Sequence, residues 1–160
     1  MTIKVGDKIP SATLMQMKDG GPKPVTTDEL FGGKKVVLFA LPGAFTPTCS
    51  AKHLPGFIQN ASAIKGKGVD TIACLSVNDA FVMGAWGDQQ GSGDKVAMLA
   101  DGNGDFTRAL GLEMDGTRFG MGKRSQRYSM VVDNGVVKTL NVEAPGAFEV
   151  SSADHMLTQL

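Results

Sequence analysis

Three stretches of the chain, "KKVVLFAL" (34–41), "VDTIACLSV" (69–77) and "VAMLAD" (96–101), are apolar or nearly so without alternating with polar residues. A strand with one wet face alternates; an unbroken run belongs to a strand covered on both faces. Between these runs the spacing turns helical. Leu54, Phe57, Ile58, Ala61 and Ile64 recur at helical intervals and predict a helix from about Thr46 to Lys65, which Pro55 should kink or shift in its hydrogen bonding. Residues 79–90, with Phe81, Val82 and Trp86, suit a helix capped by Asn78 or Asp79, and 104–112 a short helix starting near Asp105. "RYSMVVD" (127–133) and "VVKTLNVE" (136–143) flank Asn134-Gly135, a strong hairpin signal, and "SSADHMLTQL" reads as a capped helix. The first thirty residues, with a turn at Asp19–Pro22, predict a small hairpin or sheet edge.

Alternating strands and helices followed by a hairpin predict an α/β, three-layer sandwich of thioredoxin-like order with an N-terminal extension. Its mixed central sheet should be mostly parallel at its start and antiparallel at its end. No repeat or linker divides the sequence, so a single domain over 1–160 is expected. Sixteen basic residues balance sixteen acidic ones, which leaves no field to attract nucleic acid or an anionic membrane surface. The N-terminus shows no secretory pattern and no apolar stretch approaches the ~20 residues of a membrane span. With only two cysteines, the expectation is a cytoplasmic, reducing setting.

The segment "PGAFTPTC" (42–49) carries the first of those cysteines. Pro42-Gly43 ends a buried strand, Thr46 is placed to cap a helix, Pro47 suits its first position, and Cys49 falls in the first turn. There, unsatisfied N–H groups and the helix dipole favour negative charge. A free thiol is only about 3% thiolate at neutral pH, and a helix N-terminus or a neighbouring cation raises that fraction. The competing reading is a small buried hydrophobe, the usual state of a free cysteine, although a helix start fenced by prolines and hydroxyls is poor core material.

Pro42, Thr46 and Cys49 spell P-x-x-x-T-x-x-C, which resembles the active-site signature of the peroxiredoxins. The longer "PGAFTPTCSAKHLPGF" is similar to the type II, peroxiredoxin-5-like (atypical) branch. So are "GVDTIACLSVNDAFVMGAW", "MLADGNGDFTRALGLEMD" and "RYSMVVDNGVV", so the likeness runs through nearly the whole chain. The resemblance implies a cofactor-free antioxidant peroxidase that reduces hydrogen peroxide and small organic hydroperoxides. Cys49 is implied as the peroxidatic residue, Pro42 as its shield, Thr46 as the hydroxyl that accepts from the peroxide and donates to the thiolate, and Arg127 as the cation over sulfur and leaving oxygen. Backbone N–H groups of Gly43 and Cys49 would complete the substrate cradle. Without the resemblance, Arg127 reads as a surface ion-pair residue and Thr46 as a plain cap.

Cys74 lies inside "TIACLSV", too far along the chain from Cys49 for a C-x-x-C pair. It is either an inert buried thiol or, as in plant-like members of the branch, a resolving cysteine. The tail "EVSSADHML" lacks the C-terminal thiol that animal-like members use. A Cys49–Cys74 disulfide needs Cα atoms within about 7 Å, so the helix must unwind if the resting site is wider. The other route sends the oxidised sulfur to an external thiol: glutathione/glutaredoxin or thioredoxin. The resemblance further implies a homodimer packed near the active-site loops. His53 shares a helix face with Cys49 and reads as a packing or dimer-contact residue, since two ligands close no metal site. "DGNGD" (101–105) imitates a calcium loop without its later ligands and reads as a turn and cap, and Lys123 and Arg124 as loop residues near the site rim. Trp86 reads as core, near the cysteine by the resemblance. Two rival functions are a redox-switched binding or chaperone-like module and a disulfide oxidoreductase; the missing C-x-x-C opposes the latter, and the joint presence of Pro42, Thr46, Cys49 and Arg127 the former.

Overall fold

The structure, a computed structural model, describes residues 1–160. The three apolar runs form the parallel centre of a seven-stranded sheet: β3 (Lys35–Ala40), β4 (Thr71–Ser76) and β5 (Ala97–Ala100). Antiparallel strands extend both sides. β1 (Thr13–Lys18) and β2 (Gly21–Thr26) form a hairpin that joins through β1 to β5, while β8 (Tyr128–Asp133) and β9 (Val136–Val142) continue from β3. The order is β2-β1-β5-β4-β3-β8-β9. The N-terminal hairpin forms the expected sheet edge, because a tight turn at Asp19-Gly20 can only return the chain antiparallel, and the mixed sheet runs as expected from the parallel β3, β4 and β5 to the antiparallel β8 and β9.

β3 shows why both sheet faces need covering. Val37, Phe39 and Leu41 enter one core with Cys49, Phe57, Cys74 and Trp86. Val36, Leu38 and Ala40 enter the other, with Phe31, Phe106 and Tyr128. Helices α2 (Leu54–Gln59), α3 (Ala61–Lys65), α4 (Ala80–Gln90) and α6 (Ala153–Leu157) lie over the first core; α1 (Thr27–Phe31) and α5 (Asp105–Leu110) lie over the second. These are the three expected layers.

The long helix predicted over 46–65 is broken. After one turn at Pro47-Thr48 the chain enters a π-helical turn, Cys49–His53, in which Leu54 N–H bonds to the carbonyl of Cys49, five residues back. Pro55 has no N–H to continue an α-helical ladder, and the extra residue in the turn absorbs the mismatch. Asn60, at φ −98 and ψ 8, then separates α2 from α3. A second departure is a small separate hairpin, β6 (Glu113–Asp115) with β7 (Lys123–Ser125), absent from the sequence reading because "EMD" and "KRS" have no strand-like apolar pattern. Asp79, one of the two expected candidates, caps α4, accepting from Val82 N–H at 2.8 Å; α5 starts at Asp105 as expected, and Asp101 in the turn before it accepts from the N–H groups of Phe106 and Thr107. C-terminal α6 is capped by Ser152 as expected.

Phe39 anchors this layer beneath the π-helical turn, stacked on Phe57 with centroids 4.0 Å apart. Replacing it with alanine is expected to cost about 3–5 kcal/mol, read from chemical denaturation of the purified chain.

Candidate active site

The C-terminal end of β3 and the N-terminal end of β8 are neighbours, Ala40 pairing with Tyr128. One residue outward along β8 lies Arg127; beyond β3 comes the loop that carries Pro42 to Cys49. The structure therefore brings together residues separated by 78 positions: Arg127 Nη2 donates to Cys49 Sγ at 3.1 Å. Cys49 is wholly buried within the first core. The expectation that it makes poor core material is corrected; the sulfur packs as a hydrophobe on one side and faces a guanidinium on the other.

Several contacts fix the loop. Asn78 Oδ1 accepts from Ala44 N–H at 3.0 Å and from the Ser76 hydroxyl at 2.7 Å, tying the loop to the end of β4. Trp86, buried as expected, donates from Nε1 to the hydroxyl of Ser50 at 3.0 Å. Arg124 on β7 reaches the Pro42 carbonyl at 3.4 Å, so the β6–β7 hairpin leans on the loop. Phe45 holds φ at +65, a left-handed conformation rare for a bulky residue, while half of its side chain stays exposed.

Thr46 begins the helix, its carbonyl accepting from Ser50 N–H at 2.9 Å. Its hydroxyl neither caps that helix nor bonds the sulfur; it donates to the Gly43 carbonyl at 2.7 Å. A hydroxyl has one proton, so the expected donation to the thiolate gives way to this bond, and the lone pairs remain for an incoming donor. The N–H groups of Gly43 and Cys49 donate to no acceptor in the chain.

The sequence reads His53 as a packing or dimer-contact residue. The ring is indeed buried, against Phe39, Phe57 and Phe148, but both nitrogens are engaged. Nε2 lies 3.0 Å from the Ser151 carbonyl, which can only accept, so Nε2 carries the proton and Nδ1 accepts from Arg127 Nη1 at 2.7 Å. Burial, reinforced by the Arg127 cation and opposed by the Ser151 bond, pushes His53 down to about 3. The Arg127 guanidinium also lies 5.8 Å from the Phe148 ring centroid. No sequence signal tied Ser151 or Phe148 to the site. Cys74 sits in β4 opposite Phe39, on the same core as Cys49; burial, then the Cys49 sulfur, push its thiol up, against a smaller opposing pull from Arg127. On the other side of Arg127 a groove of about 360 Å³ is lined by residues that include Pro42, Thr48, Met114, Gln126 and Glu143.

The arrangement places a sulfur against a fixed cation, with two open N–H donors and an acceptor hydroxyl close by in sequence. It suits a nucleophilic thiolate attacking a small polar oxidant.

The comparisons agree with that chemistry. The Redoxin family model matches residues 4–157. The chain is 58% identical to peroxiredoxin-2E-2, chloroplastic, of Oryza sativa subsp. japonica, over 99% of this chain and 73% of the relative. It is 53% identical to peroxiredoxin-2E, chloroplastic, of Arabidopsis thaliana, over 99% and 70%. Among solved structures, reduced Prx3 of Vibrio vulnificus in complex with H2O2 superposes with a TM-score of 0.95 at 59% identity, covering 99% of both chains.

His53 is neutral when folded and titrates near 6.5 when unfolded, so between about pH 6.5 and 3 the unfolded chain binds the extra proton and stability falls on acidification. The urea midpoint should drop from about pH 6.5 to 5, above the carboxylate range, and His53→Phe should flatten that drop.

Proposed function

The chain belongs to the redoxin family as a type II peroxiredoxin, a thiol peroxidase, and on that premise we propose that Cys49 is its peroxidatic residue, with Pro42, Gly43, Thr46 and Arg127 completing the site. The observation that carries this reading is the 3.1 Å contact from Arg127 Nη2 to Cys49 Sγ. The Cys49 thiolate attacks the terminal oxygen of a hydroperoxide; an S–O bond forms as the O–O bond breaks, the sulfur is oxidised to a sulfenic acid, and the leaving oxygen takes up a proton as water or an alcohol. Arg127 faces the charge on sulfur before the step and the charge on the departing oxygen after it. Thr46, its proton committed to Gly43, accepts from the peroxide O–H, while the free N–H groups of Gly43 and Cys49 donate to its oxygens. Pro42 presents no N–H and shields the sulfur from water.

Hydrogen peroxide and small organic hydroperoxides are the substrates. The H2O2 complex of the Vibrio relative supports the first, and the groove beside Arg127, with Met114, Ala144 and Pro145 among its lining, supports room for a short alkyl group. An external thiol, from glutathione/glutaredoxin or thioredoxin, returns Cys49 to the reduced form. Cys74 is held as a thiol inside a central strand, on the same core as Cys49, and a thiol so held is a poor nucleophile, which favours direct recycling by the external thiol over a Cys49–Cys74 disulfide. No helix of the chain is long and apolar enough to cross a membrane. The cytoplasm, whose thiol pools stay reduced, supplies the reductants this cycle needs. A homodimer packed near the active-site loops is the assembly the family suggests, and exposed Phe45 in the Cys49 loop offers apolar surface there.

Cys49→Ser should lose catalytic peroxide consumption in the presence of a dithiol; appreciable turnover in that variant removes the assignment. Arg127→Gln should lower the second-order rate with peroxide by about 100-fold. Cys74→Ser should keep turnover with glutathione/glutaredoxin, and intact-mass analysis of the parent after one equivalent of peroxide should show sulfenic acid before disulfide.

A further inference from the structure

Away from the reacting atoms, one carboxylate closes a ring of hydrogen bonds around Arg127. Just past the paired residues of β8 and β9, the Glu143 N–H donates to the Arg127 carbonyl at 3.0 Å, so the two main chains are fixed to each other. The Glu143 side chain then reaches the opposite way. Its Oε2 accepts from the N–H groups of Glu149 (2.8 Å), Val150 (2.9 Å) and Ser151 (2.9 Å) and from the Ser151 hydroxyl (2.7 Å). Three successive N–H groups converging on one oxygen order a bend that belongs to no helix or strand. Burial alone pushes the Glu143 carboxyl up, but the Ser151 hydroxyl and these N–H groups outweigh it and hold the group below its ordinary value, as an anion.

From that bend the ring returns to the site. The Ser151 carbonyl accepts from the His53 Nε2–H, His53 Nδ1 accepts from Arg127 Nη1, and Arg127 Nη2 is left facing the sulfur. Phe148, at the start of the same bend, lies edge-on to His53 at 5.0 Å and beside the guanidinium. An arginine side chain has many rotamers open to it, so a guanidinium held by the sulfur alone would sample other directions. Glu143 touches neither the sulfur nor the Arg127 head group, yet it fixes the group that fixes them.

We propose that Glu143 is a positioning residue for peroxide reduction: by ordering residues 149–151 it sets Ser151 and His53, and through them the direction in which Arg127 presents its free nitrogen to Cys49. This rests on the assignment of Cys49 and Arg127 above. A carboxylate that merely staples a loop would stabilise the fold without addressing Arg127, and a double-mutant cycle on the full chain separates the two roles. Second-order rates of peroxide reduction are measured for the parent, Glu143→Gln, Arg127→Gln and the double variant, each with its fold verified by circular dichroism. Glu143→Gln should slow the parent by about 10-fold or more, yet slow the Arg127→Gln background by less than about 2-fold, because the cation it directs is gone. Effects that multiply, or a Glu143→Gln rate within about 2-fold of the parent, overturn the proposal. If Arg127→Gln itself keeps the parental rate, the assignment of Arg127 falls and takes the premise with it. Should Glu143→Gln not yield folded protein, Glu143→Asp, which keeps the charge and shortens the reach, runs through the same cycle under the same criterion.

Discussion

A half-buried guanidinium set against the core sulfur of Cys49 is the constraint around which the rest is arranged. A guanidinium is always charged, and a cation drawn partly out of water is best tolerated when its donors are matched. The chain meets this need with a sulfur, a neutral imidazole and an aromatic face rather than with a carboxylate. The choice has an electrostatic logic. A carboxylate in the place of His53 would cancel the positive charge; the neutral ring accepts a hydrogen bond and leaves the charge to act on the sulfur. Keeping the ring neutral in turn requires the dry packing of Phe39, Phe57 and Phe148 and a carbonyl at Nε2.

The loop bearing Cys49 is held from three sides: by Asn78 at the end of β4, by Trp86 of α4 through Ser50, and by Arg124 of β7. The first two anchors belong to elements packed on the central sheet, and the third to the separate β6–β7 hairpin. Phe45 sits in its left-handed conformation inside this frame. Such strain persists where the surroundings over-determine a turn.

What could be read in the sequence was whatever local pattern or a contiguous motif encodes. The three central strands followed from unbroken apolar runs, the β8–β9 hairpin from Asn134-Gly135, and the position of Cys49 in a first turn from the prolines around it. Arg127 entered through family resemblance alone, since a lone arginine before a strand carries no signal of its own. Glu143, Ser151 and Phe148 were illegible for a plain reason: they meet His53 and Arg127 only after the sheet has closed, and none lies in a motif. The π-helical turn was half visible. Pro55 announced an interrupted ladder, but its resolution into a wider turn depended on how α2 docks its Phe57 on Phe39.

The pairing of Ala40 with Tyr128 has one more consequence, for how a chain of this design tolerates changes in length. Side chains alternate across a strand, so one residue added or removed between Arg127 and the β8–β9 turn would rotate the arginine onto the far face, among Leu38 and Tyr128, and leave the sulfur unattended. The stretch just upstream, where the β6–β7 hairpin turns in solvent, has no such arithmetic to obey. Natural variation in loop size should therefore accumulate in the turn between β6 and β7, while β7 keeps Arg124 on the Cys49 loop and β8 keeps its count.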